Sequence, residues 1–273
     1  MQVITPYQDN AKQYGERLPG VVGRISDIDP EKATLIQTPV TPFSLSIVTG
    51  IPLFRTHDSQ RDYNTIVHDI SRMLPNQFPY DNLRTHIAVG VLLRNSPGTT
   101  GAVAYKPTGD KRAFYRDHLD IFDKIFSFPL TLRMNGFYPN GIVLWVPGEN
   151  GDGMFDMRRQ ISQGLLDKKA EKPAFHFKVK ETKDKTKENI EPDIDTGIIH
   201  TTFLRFADKP EFVARYQDYK KLLSEVNQAI GKGEIFQEPL RVDEIAMIEP
   251  RVSAGSTVRD WYTDEVIARK QLG

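Results

Sequence analysis

Apolar and polar positions first alternate regularly at Phe43-Ser44-Leu45-Ser46-Ile47-Val48, the period of a half-buried strand. Over Asp62–Leu74 the period changes. Tyr63, Ile66, Val67, Ile70, Met73 and Leu74 fall on one face of a helix, which Pro75 stops. His86–Leu93 reads as a buried strand, so the pattern opens strand, helix, strand. Residues 95–112 carry Pro97, Gly98, Gly101, Pro107 and Gly109 and predict a long loop, a length that tends to mark function or disorder. A helix around Phe114–Phe126 follows, then strands Leu130–Met134 and Ile142–Val146 joined through the turn Tyr138-Pro139-Asn140-Gly141. Another helix covers roughly Met154–Leu166. Residues 167–196 are rich in Lys, Glu and Asp and predict a solvated insertion with a mobile hairpin around Phe175-His176-Phe177. Beyond it come a strand at Ile198–Leu204, a helix at about Phe212–Ile230 with Gly231 as C-cap, a strand at Val242–Ile248 and a last piece near Val266–Ala268.

Two βα-containing halves emerge, each with a histidine at the start of an apolar strand, which predicts an α+β fold. Residues 1–40, punctuated by Gly20, Gly23, Pro30 and Pro39, are expected to form an N-terminal extension packed on a main domain of residues 41–273. No run of about 18 apolar residues occurs, so no membrane helix is expected. Met1-Gln2-Val3-Ile4-Thr5-Pro6 lacks the basic and apolar regions of a secretory leader. The chain has no cysteine, which excludes disulfides, thiol nucleophiles and thiolate metal sites and fits a reducing, cytoplasmic setting. Its 36 basic and 36 acidic side chains cancel, which argues against coating long nucleic acids by counterion release but leaves room for gripping one or two phosphates.

The candidate chemistry lies in His200-Thr201-Thr202. Side chains alternate along a strand, so His200 and Thr202 share a face and Thr201 points away. An imidazole beside a hydroxyl holds a phosphoryl oxygen and moves a proton; two such units across a cleft supply an acid and a base, with no metal or other cofactor. His57-Asp58-Ser59 has the same spacing, but its polar context predicts an exposed loop. His68, His118 and His176 have no convincing partner.

The order of these segments resembles the 2H phosphoesterase superfamily, the LigT-like RNA 2′,3′-cyclic phosphodiesterases and 2′-5′ RNA ligases. The resemblance runs from about Phe43 to Leu272. Tyr80-Asp81-Asn82-Leu83-Arg84-Thr85-His86-Ile87-Ala88-Val89 resembles the approach to the family's first His-x-Thr motif, and His200-Thr201-Thr202-Phe203-Leu204-Arg205 its second. Phe128–Leu132 with Gly141–Trp145 resembles the central strands, and Arg241–Pro250 the closing strand. The resemblance implies a bilobal fold of two antiparallel sheets, with helices outside and a cleft between pseudo-symmetric halves. It also implies His86 and His200 as the catalytic pair and Thr202 as a phosphate-binding hydroxyl, with an RNA end or small nucleotide as substrate and a monomer favoured. Arg205 stands five positions from His200, on the opposite face of a regular strand, so a phosphate role for it requires a twist or bulge. The first motif departs from the family: Ala88 stands where it has Thr or Ser, and neighbouring Thr85 should face away from His86.

Two other readings compete. Ala88 favours a binding module that retains the cleft without the chemistry. A metal-dependent hydrolase would need a His-x-x-x-His or comparable ligand spacing, which is lacking. Tyr105, Tyr138 and Trp261 are candidate base-stacking groups.

Overall fold

Thr56 caps the helix α2 (His57–Met73), its hydroxyl accepting from the Ser59 N–H, and Tyr63, Ile66 and Ile70 turn inward. The computed structural model describes residues 9–33, 44–49, 51–94, 110–177, 192, 197–252 and 262–273. Most of the 95–112 loop and of the 167–196 insertion, together with Tyr105 and Trp261, lies outside them. Helix α1 spans Asp9–Ser26 despite Pro19 and three glycines. Tertiary burial overrides propensity here: Tyr14 and Leu18 enter the core, and Val21, Val22 and Ile25 pack against it. A 3₁₀ turn follows at Pro30–Lys32.

Two four-stranded antiparallel sheets form the frame of this α+β fold. In the first, β1 (Ser44–Thr49) lies between β3 (Ala88–Arg94) and β9 (Glu244–Val252), and β10 (Tyr262–Gln271) closes the far edge. In the second, β4 (Leu130–Tyr138) and β5 (Ile142–Pro147) are central, flanked by β8 (Leu240–Val242) and β6 (His200–Thr202). A two-stranded ribbon of β2 (Phe78–Pro79) and β7 (Leu204–Arg205) pairs Phe78 with Arg205 and Pro79 with Leu204. Among the helices, α3 (Lys111–Phe114), α4 (Arg116–Lys124) and α5 (Gly153–Glu171) follow in order. Then α6 (Lys209–Gly231) is capped by the Asp208 carboxylate and buries Phe212, Tyr216, Tyr219, Leu223 and Val226.

Several elements differ from the sequence pattern because partners distant in sequence claim particular residues. The predicted strand 242–248 is divided: Val242 pairs with Leu130 in one sheet, and Glu244 with Gln271 in the other. Asp243 makes the crossing. Its carbonyl accepts from Leu272 N–H, and its carboxylate accepts from Arg55 at 3.0 Å. The predicted helix 114–126 is interrupted at Tyr115, whose hydroxyl donates to buried Glu249 at 2.6 Å. Residues 167–171 continue α5 rather than opening the insertion. Phe175, read as part of a mobile hairpin, is buried against the His118 ring at 4.7 Å between centroids. His118 therefore has partners after all, its Nε2 donating to the His176 carbonyl at 3.3 Å. Burial pushes its imidazole down to about 4. Tyr138 is buried too, its hydroxyl bonded to Asn135, so it offers no open ring for stacking. His57 opens α2 and is exposed.

Candidate functional site

β6 is short, and the reason lies in its partner turn. His200 pairs with Leu144 and Thr202 with Ile142, after which the regular ladder stops. Gly141, at φ +82°, offers its carbonyl to both Phe203 N–H (2.9 Å) and Leu204 N–H (3.2 Å). A Cβ at Gly141 would lie 2.3 Å from the Leu204 carbonyl oxygen, so the position admits only glycine. The irregularity makes Phe203 and Leu204 both buried, and alternation resumes one residue out of step. Thr201 is buried, accepting from the Trp145 indole N–H at 3.0 Å, while His200 and Thr202 are half-buried on the opposite side. After the slip, Arg205 is the exposed residue. The bulge thus supplies what a phosphate role for Arg205 required.

His86 lies between a 3₁₀ turn (Asn82–Arg84) and β3. Thr85 is fully buried, donating to the Asn82 carbonyl at 2.7 Å and accepting from Leu53 N–H, and so faces away from the histidine. Thr49 accepts the Ile87 N–H at 3.0 Å and holds the segment against β1. His86 and Ala88 alternate with Ile87 and Val89, which enter the core; the open face carries the histidine and a methyl group. His86 Nδ1 lies 3.1 Å from the Arg84 carbonyl. A carbonyl only accepts, so Nδ1 carries a proton and Nε2 is the nitrogen left over.

The His86 imidazole donates to the carbonyl two residues upstream, that of Arg84, and the Ile198 backbone two residues before His200 favours the charged form of that ring. Chain approach and exit are joined as well, since Tyr80 N–H donates to the Phe203 carbonyl at 2.8 Å beside the β2–β7 ribbon. Burial pushes the His200 imidazole down to about 4, helped by the charges of Arg158, Arg205 and His86 and opposed by the Ile198 bond. Arg205 and His86 are therefore within electrostatic reach of His200, which is neutral at pH 7. Two of the other predicted site residues, His86 and Arg205, thus act on the His200 imidazole, and Thr202 lies on the same strand face.

The sequence pattern did not single out Arg158 or Tyr14. Arg158 is buried on α5 and Tyr14 on α1. Arg158 occupies a position in the stripe Met154, Met157, Ile161 and Leu165, where a charge is unexpected and was a readable signal. Among the described residues no set of three or more His, Asp or Glu side chains converges as metal ligands. No described helix is long and apolar enough to cross a membrane.

The chain is similar in structure to E. coli LigT. The complex of that protein with 3′-AMP superposes with a TM-score of 0.41 at 12% identity, over 85% of this chain and 98% of LigT. A Thermus thermophilus protein gives 0.43 at 12% identity over 84% and 97% of the two chains. A conserved Agrobacterium tumefaciens protein of unknown function gives 0.48 at 14%, over 82% and 85%. No family model and no curated protein matches the chain. Likeness at this level concerns chain path; what the site can do follows from its own residues.

Proposed function

We propose that the protein is a metal-independent phosphodiesterase acting on RNA ends or small nucleotides, at a 2′,3′-cyclic phosphate or a 2′-5′ linkage, by acid–base catalysis between His86 and His200. The observation that carries this reading is the shared setting of the two imidazoles. They lie within electrostatic reach of one another beside Arg205, and the His86 ring is held by the Arg84 carbonyl. In the hydrolytic direction neutral His200 takes a proton from water as the water oxygen bonds to phosphorus. The P–O bond to the leaving oxygen breaks, and that oxygen receives the Nε2 proton of protonated His86. Thr202 and Arg205 hold the non-bridging oxygens. Held neutral by burial, His200 can accept a proton, and His86 is assigned the role of acid.

Ala88 favours a second reading, a nucleotide-binding module with little turnover, because a methyl stands where a second hydroxyl would assist. Losing one hydrogen bond to a charged group costs roughly 1.5–3 kcal/mol, about 10- to 100-fold in rate. Losing a proton-transfer histidine costs about 10²- to 10⁴-fold. Both histidines are present, which favours the slow enzyme. A panel of 2′,3′-cyclic nucleotides and 2′-5′ oligoadenylate, assayed with chelator present, tests the reading. Turnover should fall at least about 100-fold in His86→Ala and in His200→Ala. Wild-type turnover in the double variant refutes the site, and calorimetric binding without any turnover supports the module.

A further inference from the structure

Resting on that functional reading, we propose that Arg158 is a positioning residue: its guanidinium ties the two histidine-bearing segments into one frame by bonding backbone carbonyls just after His86 and just before His200. Arg158 donates to Val89 O through Nε (3.1 Å), and through Nη2 to Ala88 O (3.3 Å) and Ile198 O (3.1 Å). Two of these carbonyls follow His86 by two and three residues; the third precedes His200 by two. The β1–β3 register slips here, Ile47 pairing with Gly90 and Val48 with Ala88, so Val89 has no direct partner across the strand. That bulge presents the carbonyls of consecutive residues to one side group, which a regular strand would point in opposite directions.

Guanidinium suits the position. Its planar fork of donors spans two strands at once, and it keeps its charge when buried, whereas a lysine offers one rotating point charge. The Phe155 ring, 6.0 Å from the guanidinium carbon, lies under it. Arg158 is also a charge beside His200, together with Arg205 and His86, and it joins burial in keeping that imidazole neutral. The same residue therefore holds the backbone just before His200 and adds to the burial that keeps its ring neutral.

The experiment compares wild type with Arg158→Met and Arg158→Lys by NMR titration of histidine ring resonances and by kcat and KM on the best phosphodiester substrate. His118 is the internal control, because burial alone lowers its pKa and Arg158 is not among the groups acting on it. In Arg158→Met, His200 should titrate about one unit or more higher while His118 stays. In Arg158→Lys the charge remains, so His200 should stay low, yet kcat should fall about tenfold or more with KM little changed, because the fork is lost. Movement of both histidines together, or of neither in a folded Arg158→Met protein, overturns the proposal. Wild-type kcat in Arg158→Lys does the same, and that variant decides the matter where Met prevents folding. Absence of wild-type turnover would sink the phosphodiesterase reading while leaving the histidine titration to judge Arg158.

Discussion

Removing one oxygen from Tyr14 should open a defect beside His200. In an antiparallel ladder every second facing pair exchanges two N–H···O bonds, and Trp145 with Ile199 occupies such a position. Trp145 and Ile199 exchange only one directly, Trp145 N–H to Ile199 O at 2.9 Å. The other passes through Tyr14: Ile199 N–H donates to its hydroxyl at 3.0 Å, and the hydroxyl donates to Trp145 O at 2.9 Å. Burial, partly opposed by the Ile199 bond and by Arg158 and Arg17, raises the Tyr14 pKa, so the hydroxyl keeps the proton it donates. Tyr14 is 2% exposed, so water cannot take the missing place without rearrangement. Tyr14→Phe strands one donor and one acceptor at about 1–3 kcal/mol each, less whatever the strands recover by closing, for a net loss of about 2–4 kcal/mol. At roughly 2 °C per kcal/mol for a chain of this length, Tm should fall by about 4–8 °C. Closing the strands would also shift Ile198–His200 toward β5, so kcat should drop while KM changes less. Thermal melting, urea titration and steady-state kinetics read these together. A variant that melts within about 1 °C of wild type at unchanged kcat would show that the hydroxyl does not complete the ladder.

Further outcomes follow from the same geometry. His118 and His200 both fall from an ordinary value of 6.5 to about 4, so their neutral forms contribute stability that is full above pH 6.5 and declines as pH falls toward 4. For buried His118 the loss is on the order of 3 kcal/mol, and His118→Phe should flatten the stability curve between those pH values. With His200 as base, the acid limb of kcat/KM should lie near pH 4 to 5; a limb at 6.5 would contradict its role. Gly141→Ala must displace the Leu204 carbonyl and adopt a left-handed backbone, so it should cost about 2 kcal/mol or more and raise KM through Arg205. Substrate kinetics and melting check both effects, and unchanged KM in a folded variant would remove Arg205 from phosphate binding. Ala88→Thr places a hydroxyl two residues after His86, and turnover should rise about tenfold; no gain would mean that the first segment does not touch the phosphate.

The amino-acid pattern by itself determined the elements whose signal is local. The stretch of α2 from Asp62 on follows from the spacing of Tyr63, Ile66 and Ile70 ahead of Pro75, and α6 from its apolar positions; the first turn of α2, capped by Thr56, lies outside that pattern. The facing of His200 with Thr202 against Thr201 follows from strand alternation alone, as does the turn of buried Thr85 away from His86. Tertiary structure decided what depends on distant partners. Helix α1 contains Pro19 and three glycines and forms because its apolar face finds a core to bury against. The strand read at 242–248 serves two sheets because Asp243 is bonded from Arg55 and Leu272, residues remote in sequence. Arg205 reaches the face of His200 only because the carbonyl of Gly141 takes two successive N–H groups and slips the register. Arg158 carried a legible anomaly, a charge in an apolar stripe, but its meaning required the three carbonyls from two strands that converge on it. Periodicity records which side of an element meets the core; it holds no record of which backbone groups, left over by bulges and crossings, a distant side chain will satisfy.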